Sequence, residues 1–372
     1  MPKGIGCFVW DDKTGVEIIE KYPDDLTQGL GNDDILTIFT THALSGEAGI
    51  LTMVMRQMSV ISYYTGKPKE EDEAQFILAL FLAENEETGI YEEYLSAIAE
   101  MVIKSIGKED FKDLFIDCYE AASHTKEISE DQYRSFLLRD EISSFIIEML
   151  REGPLTKNEL AKYLSKELRR RVKDVNIYLM TLLKQNILCE HSVSEGQRVT
   201  SEYLMMIKDL DIIRAPPLNI LIRLNTEQGY PELIEGFQVS IEEFFKNYKP
   251  YPEDKKKLIE FISNPGTYEI IKILRQGYVK SGELTLKMGF SMRNVYGNLK
   301  KLTDANIILP IKDNHEQIWL FLLCDILAME IYPEYLVDVI YKNWSSGLID
   351  DEVAIEHLDR LRIEYGKRYT SE

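Results

Sequence analysis

Residues 4–23, GIGCFVWDDKTGVEIIEKYP, hold two short apolar runs, Gly4–Trp10 and Val16–Tyr22, separated by Asp11-Asp12-Lys13 and Gly15 and closed by Pro23. Two short apolar runs on either side of a glycine-bearing turn predict a β-hairpin. Working outward, Asn32-Asp33-Asp34 precede Ile35, Leu36, Ile38, Phe39 and Leu44, an apolar stripe at helical spacing that predicts a helix over 32–45. Ile50–Met58 and Ser59–Thr65 read as strands, and an acidic loop follows at Glu70-Glu71-Asp72-Glu73. Gln75–Ala83 is apolar almost throughout, as expected of a strand at the sheet centre with both faces covered. Thr88 is placed to cap a helix over Ile90–Ile106, and Lys108–Ala122 predicts another with Phe111, Leu114, Phe115 and Cys118 inward.

The element order strand, strand, helix, strand, strand, strand, helix, helix, together with Gly4, Asp11-Asp12, Gly15 and Tyr22-Pro23 in the opening stretch, resembles the longin fold over roughly residues 3–122. The related roadblock domain starts with a helix ahead of its hairpin, for which there is no room before Gly4. The resemblance implies a binding platform for a small GTPase or for another longin or roadblock protein, and carries no catalytic residue with it.

Composition sets outer limits. With 372 residues, 45% hydrophobic and 28% charged, the chain is long enough for two to four domains with real cores. No apolar run is long enough to span a membrane, and MPKGIGCFVWDD lacks the pattern of a secretory leader, so a cytoplasmic protein is expected. Cys7, Cys118, Cys189 and Cys324 are too scattered for a disulfide framework or a metal knuckle and are expected as buried small hydrophobes. His42, His124, His191, His315 and His357 form no ligand pair by sequence spacing. Gly66-Lys67 lacks the glycine-rich loop that a phosphate site needs and has Pro68 in place of Ser or Thr; Gly4-x-Gly6 lacks the third glycine of a dinucleotide site. No catalytic motif and no cofactor site is expected.

The net charge of −20 is unevenly spread: residues 1–139 hold 12 Lys+Arg against 27 Asp+Glu, −15. Such acidity opposes non-specific binding to phosphate backbones.

After a polar linker at 123–140, Ile142–Leu150, the capping-box segment Thr156–Glu159, a helix over Val172–Gln185 and a hairpin through Ser194-Glu195-Gly196 give the order helix, helix, helix, hairpin over 141–200. The order recurs over 253–322: Tyr268–Arg275, Ser281–Lys287, Met292–Thr303, then Ile307–Ile311 and Gln317–Leu322. Both stretches resemble winged helix-turn-helix domains, the segment SMRNVYGNLKKLTDANII most closely. Residues 201–252 are expected as a partly helical connector, and 323–372 as helices.

The fold class expected is therefore α+β, an N-terminal longin-like antiparallel sheet with flanking helices, two winged-helix domains and a C-terminal helical segment. A longin-like domain followed by winged helices is similar in arrangement to nitrogen permease regulator-like proteins. That resemblance implies a non-enzymatic scaffold, with the winged helices as protein-interaction modules and dimerisation possible. The alternative is a DNA-binding transcriptional regulator. Candidate contact residues are Arg293, Asn294, Asn298, Lys300 and Lys301 on the predicted third helix of the second repeat, where residues 255–317 carry 11 Lys+Arg against 6 Asp+Glu, and Arg169, Arg170, Arg171 and Lys173 in the first.

Overall fold

The computed structural model describes residues 2–11, 13–26, 31–67, 74–84, 86–124, 128–169, 172, 175–195, 199–224, 231–288 and 292–369. The chain begins with β1 (Gly4–Asp11), β2 (Gly15–Tyr22), α1 (Asn32–Ser45), β3 (Gly49–Met55), β4 (Met58–Tyr64), β5 (Gln75–Ala83), α2 (Gly89–Lys104) and α3 (Phe111–His124). It continues with α4 (Glu130–Arg139), α5 (Glu141–Arg151), β6 (Leu155–Thr156), α6 (Lys157–Glu167), α7 (Asn176–Lys184), β7 (Leu188–Glu195), β8 (Val199–Met206) and β9 (Asp209–Ala215). Then come α8 (Leu218–Leu224), α9 (Pro231–Asn247), α10 (Pro252–Ser263), α11 (Pro265–Arg275), β10 (Val279–Lys280), α12 (Ser281–Met288) and α13 (Met292–Asp304). The last elements are β11 (Ile308–Lys312), β12 (Ile318–Leu322), β13 (Asp325–Ile331), α14 (Tyr335–Ser345) and α15 (Asp351–Tyr369).

The chain divides into two compact units, each built from two separated stretches: a larger one, Met1–Tyr133 with Arg214–Ile326, and a smaller one, Arg134–Ile213 with Leu327–Glu372.

In the larger unit the first five strands form one antiparallel sheet in the order β2-β1-β5-β4-β3. β5 lies at its centre, which is why its sequence is apolar without alternation. Ile77, Ala79 and Phe81 join Phe8, Val60 and Tyr64 in a core with Ile35, Ile38 and Phe39 of α1. Leu78, Leu80 and Leu82 take the opposite face by the two-residue period, and α2 packs against β4 and β5. Gly15 turns the first hairpin at φ +82, a left-handed conformation in which a side chain would be strained. The expected third strand ends earlier than its apolar run, because Arg56 and Gln57 both adopt positive φ and turn the chain into β4. That is a two-residue hairpin turn made without the usual glycine or asparagine. At α1 the cap comes from Asp34, whose carboxylate reaches back to accept from the Gly31 amide at 2.7 Å; Thr88 stands at the start of α2 without a capping hydrogen bond from its side chain.

Residues 265–322 of the same unit form the second repeat: α11, α12 and α13 carry a sheet in the order β10-β12-β11. The first repeat, in the smaller unit, has the same plan, with α5, α6 and α7 and the sheet order β6-β8-β7. The capping box predicted there is present: Thr156 Oγ1 accepts from the Glu159 amide, and Glu159 accepts from the Thr156 amide at 2.8 Å.

Two expectations change. Residues 323–372 do not begin as a helix: β13 pairs with β9, and alternate burial of Ile326 and Ala328 marks a strand. The connector expected over 201–252 likewise opens with strand, in β8 and β9, before α8 and α9. In β13 the apolar Leu327 and Met329 stand between Ile326 and Ala328, so the strand period shows in burial and not in the sequence.

Candidate functional site

Three of the five contact residues expected on the second repeat meet the acidic residues at α3 in the larger unit, two of them on one carboxylate. Along α13, Asn294, Asn298 and Lys301 are spaced i, i+4, i+7 and share a face. Along and just before α3, Asp110, Asp113 and Asp117 make a matching acidic stripe beside the apolar Leu114, Phe115 and Cys118. The two stripes meet. Asn298 Nδ2 donates to Asp117 Oδ2 at 2.8 Å, Asn294 Nδ2 donates to Asp117 Oδ1 at 3.1 Å, and Lys301 Nζ lies 3.2 Å from Asp110 Oδ2.

Burial gives this seam its character. Asp117 is 1% exposed and Asn294 and Asn298 are each 4% exposed. Removal from water pushes the Asp117 carboxyl up to about 6, with Glu120 adding to the rise; the two amides and Lys301 pull the other way. Gly266, in the first turn of α11, permits the close approach, because a Cβ there would stand 2.3 Å from Asn298 Nδ2 and 2.5 Å from Asp117 Oδ2. A glycine in a helix otherwise weakens it, so its presence follows from the seam.

The remaining candidates are placed differently. Lys300 is exposed on the outer face of α13 beside Tyr296, which is 51% exposed. Arg293 lies in the first turn of that helix, and its side-chain placement falls outside the described residues, as do Arg170, Arg171 and Lys173. Arg169 is exposed at φ +49 just after α6. The sequence offered Asn294 and Asn298 as contacts for DNA or a partner; they turn inward because a buried acceptor stands opposite them. The signal that could have found it was the acidic period of α3, which runs through an otherwise apolar helix.

A second buried network in the larger unit surrounds Arg214. Its guanidinium grips Asp254 at 2.7 and 2.9 Å, reaches Asn306 O at 3.3 Å and Cys324 Sγ at 3.2 Å, and lies over the rings of Phe244 and Tyr248. Tyr248 donates its hydroxyl to Asp254 at 2.7 Å. Burial pushes the Asp254 carboxyl up, but Arg214 and Tyr248 outweigh it and hold the group below the usual carboxylate range. A cavity of about 430 Å³ opens beside this network, lined by Tyr251, Lys249 and Lys257 among others. The ion pair is satisfied from within the fold, so it serves as a pin between α10 and the second repeat.

All four cysteines are free and buried, as expected. Among the described residues no group of three or more His, Cys, Asp and Glu side chains could hold a metal ion, and no helix is long and apolar enough to cross a membrane. No protein-family model matches the sequence, and no curated protein matches it.

Proposed function

We propose that this protein is a non-enzymatic regulatory scaffold of the cytoplasm. Its five-stranded N-terminal domain, taken as longin-like, docks a small GTPase or a longin or roadblock partner, and its two helix-and-hairpin repeats, taken as winged helices, act as protein-contact modules. The observation that carries protein contact over DNA is the Asp117 seam. Asn294 and Asn298, two of the five α13 residues that a major groove would have to reach, are instead taken by a carboxylate from the protein's own α3. An acidic group at that position would also repel a phosphate backbone.

Binding assays with purified small GTPases and with longin and roadblock proteins test the proposal; saturable binding of the full chain to one of them is the expected result, and binding to none would overturn it. A mobility-shift assay at two salt concentrations tests the alternative. Tight duplex binding that falls steeply with salt and disappears in the variant with Arg293, Lys300 and Lys301 changed to Glu would overturn the scaffold reading in favour of a DNA-binding regulator.

A further inference from the structure

The smaller unit contains a pair of histidines that no spacing in the sequence connects. His191 lies on β7 and His357 on α15, and His191 Nε2 stands 2.8 Å from His357 Nδ1. Cross-strand register places His191 opposite Tyr203 of β8, and the Tyr203 ring lies 4.8 Å from that of His357 at a T-shaped angle. His357 is 1% exposed and shares the inward face of α15 with Val353, Ala354 and Leu361. The outer ring nitrogens, His191 Nδ1 and His357 Nε2, and Nε of the nearby Arg360, are buried with no hydrogen-bond partner.

This arrangement tolerates neutral rings only. One N–H between two facing nitrogens makes one hydrogen bond; a further proton adds a buried charge on a nitrogen without an acceptor. The groups facing the pair reinforce this. From α15 come Arg360, whose charge lies close to His191, and Glu364, which holds Arg360 at 2.8 Å; from β7 and β8 come Cys189 and Tyr203. Glu190 and Glu202, paired with Lys157, alternate onto the opposite face of the hairpin and give the rings no counter-charge.

We propose that the His191–His357 pair is an acid-released latch that holds α15 against the β7–β8 hairpin of the smaller unit. Released, α15 uncovers the apolar face carrying Val353, Ala354 and Leu361. Burial pushes His191 down to about 4, with Arg360 adding to the fall, and burial together with the neighbouring His191 pushes His357 down to about 3. Both values lie below the ordinary histidine range, so the closed state loses ground to any open state as pH falls below about 6.5, where the freed rings take up protons.

The test is amide hydrogen exchange across α15 and β7, corrected for the intrinsic pH dependence of exchange, at pH 7 and pH 5. The full chain is expected to lose protection in α15 by at least about tenfold at the lower pH. The double variant His191→Gln, His357→Asn keeps a hydrogen-bonding group near each of the paired nitrogens and removes both titrations. It is expected to hold α15 equally at both pH values. The same acid loss in that variant, or no loss in the unaltered protein, would overturn the latch. Should the variant fold poorly, the imidazole proton resonances of the unaltered protein decide the question, since titration of both rings near pH 6.5 is incompatible with it.

Discussion

The two helix-and-hairpin repeats share one topology and are anchored by buried polar contacts of opposite chemistry. In the second repeat, α13 is tied to α3 through Asp117, a carboxyl whose folded state favours the proton. In the smaller unit the hairpin of the first repeat is tied to α15 through His191 and His357, whose folded state excludes it. For Asp117 the folded value lies above the ordinary 3.8, so its contribution to stability is full below pH 3.8 and lost as pH rises through about 6. For the histidines the folded values are depressed, and their contribution is lost as pH falls below about 6.5. Between pH 7 and pH 5 the two anchors therefore respond in opposite directions. Similar topology leaves the choice of anchor open, because topology follows backbone pairing and apolar period, whereas an anchor depends on one or two buried side chains.

The comparison breaks most sharply at the ion pairs. Arg214→Ala strands Asp254 without its cation at 2% exposure, and unfolding of the larger unit in denaturant should show a loss of about 3–5 kcal/mol. The corresponding clamp of the smaller unit, Arg151 with Asp209 and Tyr335, is more open to water, with Arg151 31% exposed. Arg151→Ala should cost roughly 1 kcal/mol by the same measurement. Equal losses would mean that burial is not what separates the two networks.

Next in size is Gly266→Ala. The added Cβ forces Asn298 and Asp117 apart, so a cost of about 1–3 kcal/mol is expected, with exchange protection falling in α3 and α13 together. A loss confined to α11 would reduce the effect to helix geometry alone.

Asp117→Asn isolates the charge. The unaltered larger unit should gain stability from pH 7 to pH 5, and the variant should lose that gain, with the smaller unit's acid response unchanged. Smallest of all, Lys301→Ala removes an ion pair whose partners are 43% and 48% exposed, and a change of no more than about 0.5 kcal/mol is expected in the same unfolding experiment.

The N-terminal sheet was legible because its strands speak through local pattern. The turn at Gly15 and the unbroken apolar run of β5 located the first hairpin and the sheet centre before any partner was known. The order of elements in both repeats was legible for the same reason, including the capping box at Thr156. The candidate site was legible only in part. Asn294, Asn298 and Lys301 stood out as polar positions on an amphipathic helix, but nothing near them in sequence names Asp117, which lies 177 residues from Asn294.

By itself, then, the sequence determined a mixed α and β chain with an acidic N-terminal sheet domain, two repeated helix-and-hairpin segments, and free cysteines suited to burial. Those properties follow from periodicity, turn chemistry and composition, which act over a few residues. Tertiary structure alone decided that the sheet domain and the second repeat belong to one unit, that residues 325–331 are a strand, and that Asp117 faces two asparagines while His191 faces His357. Each of these is a contact between residues far apart in the chain, and its energy depends on burial that only the folded chain creates.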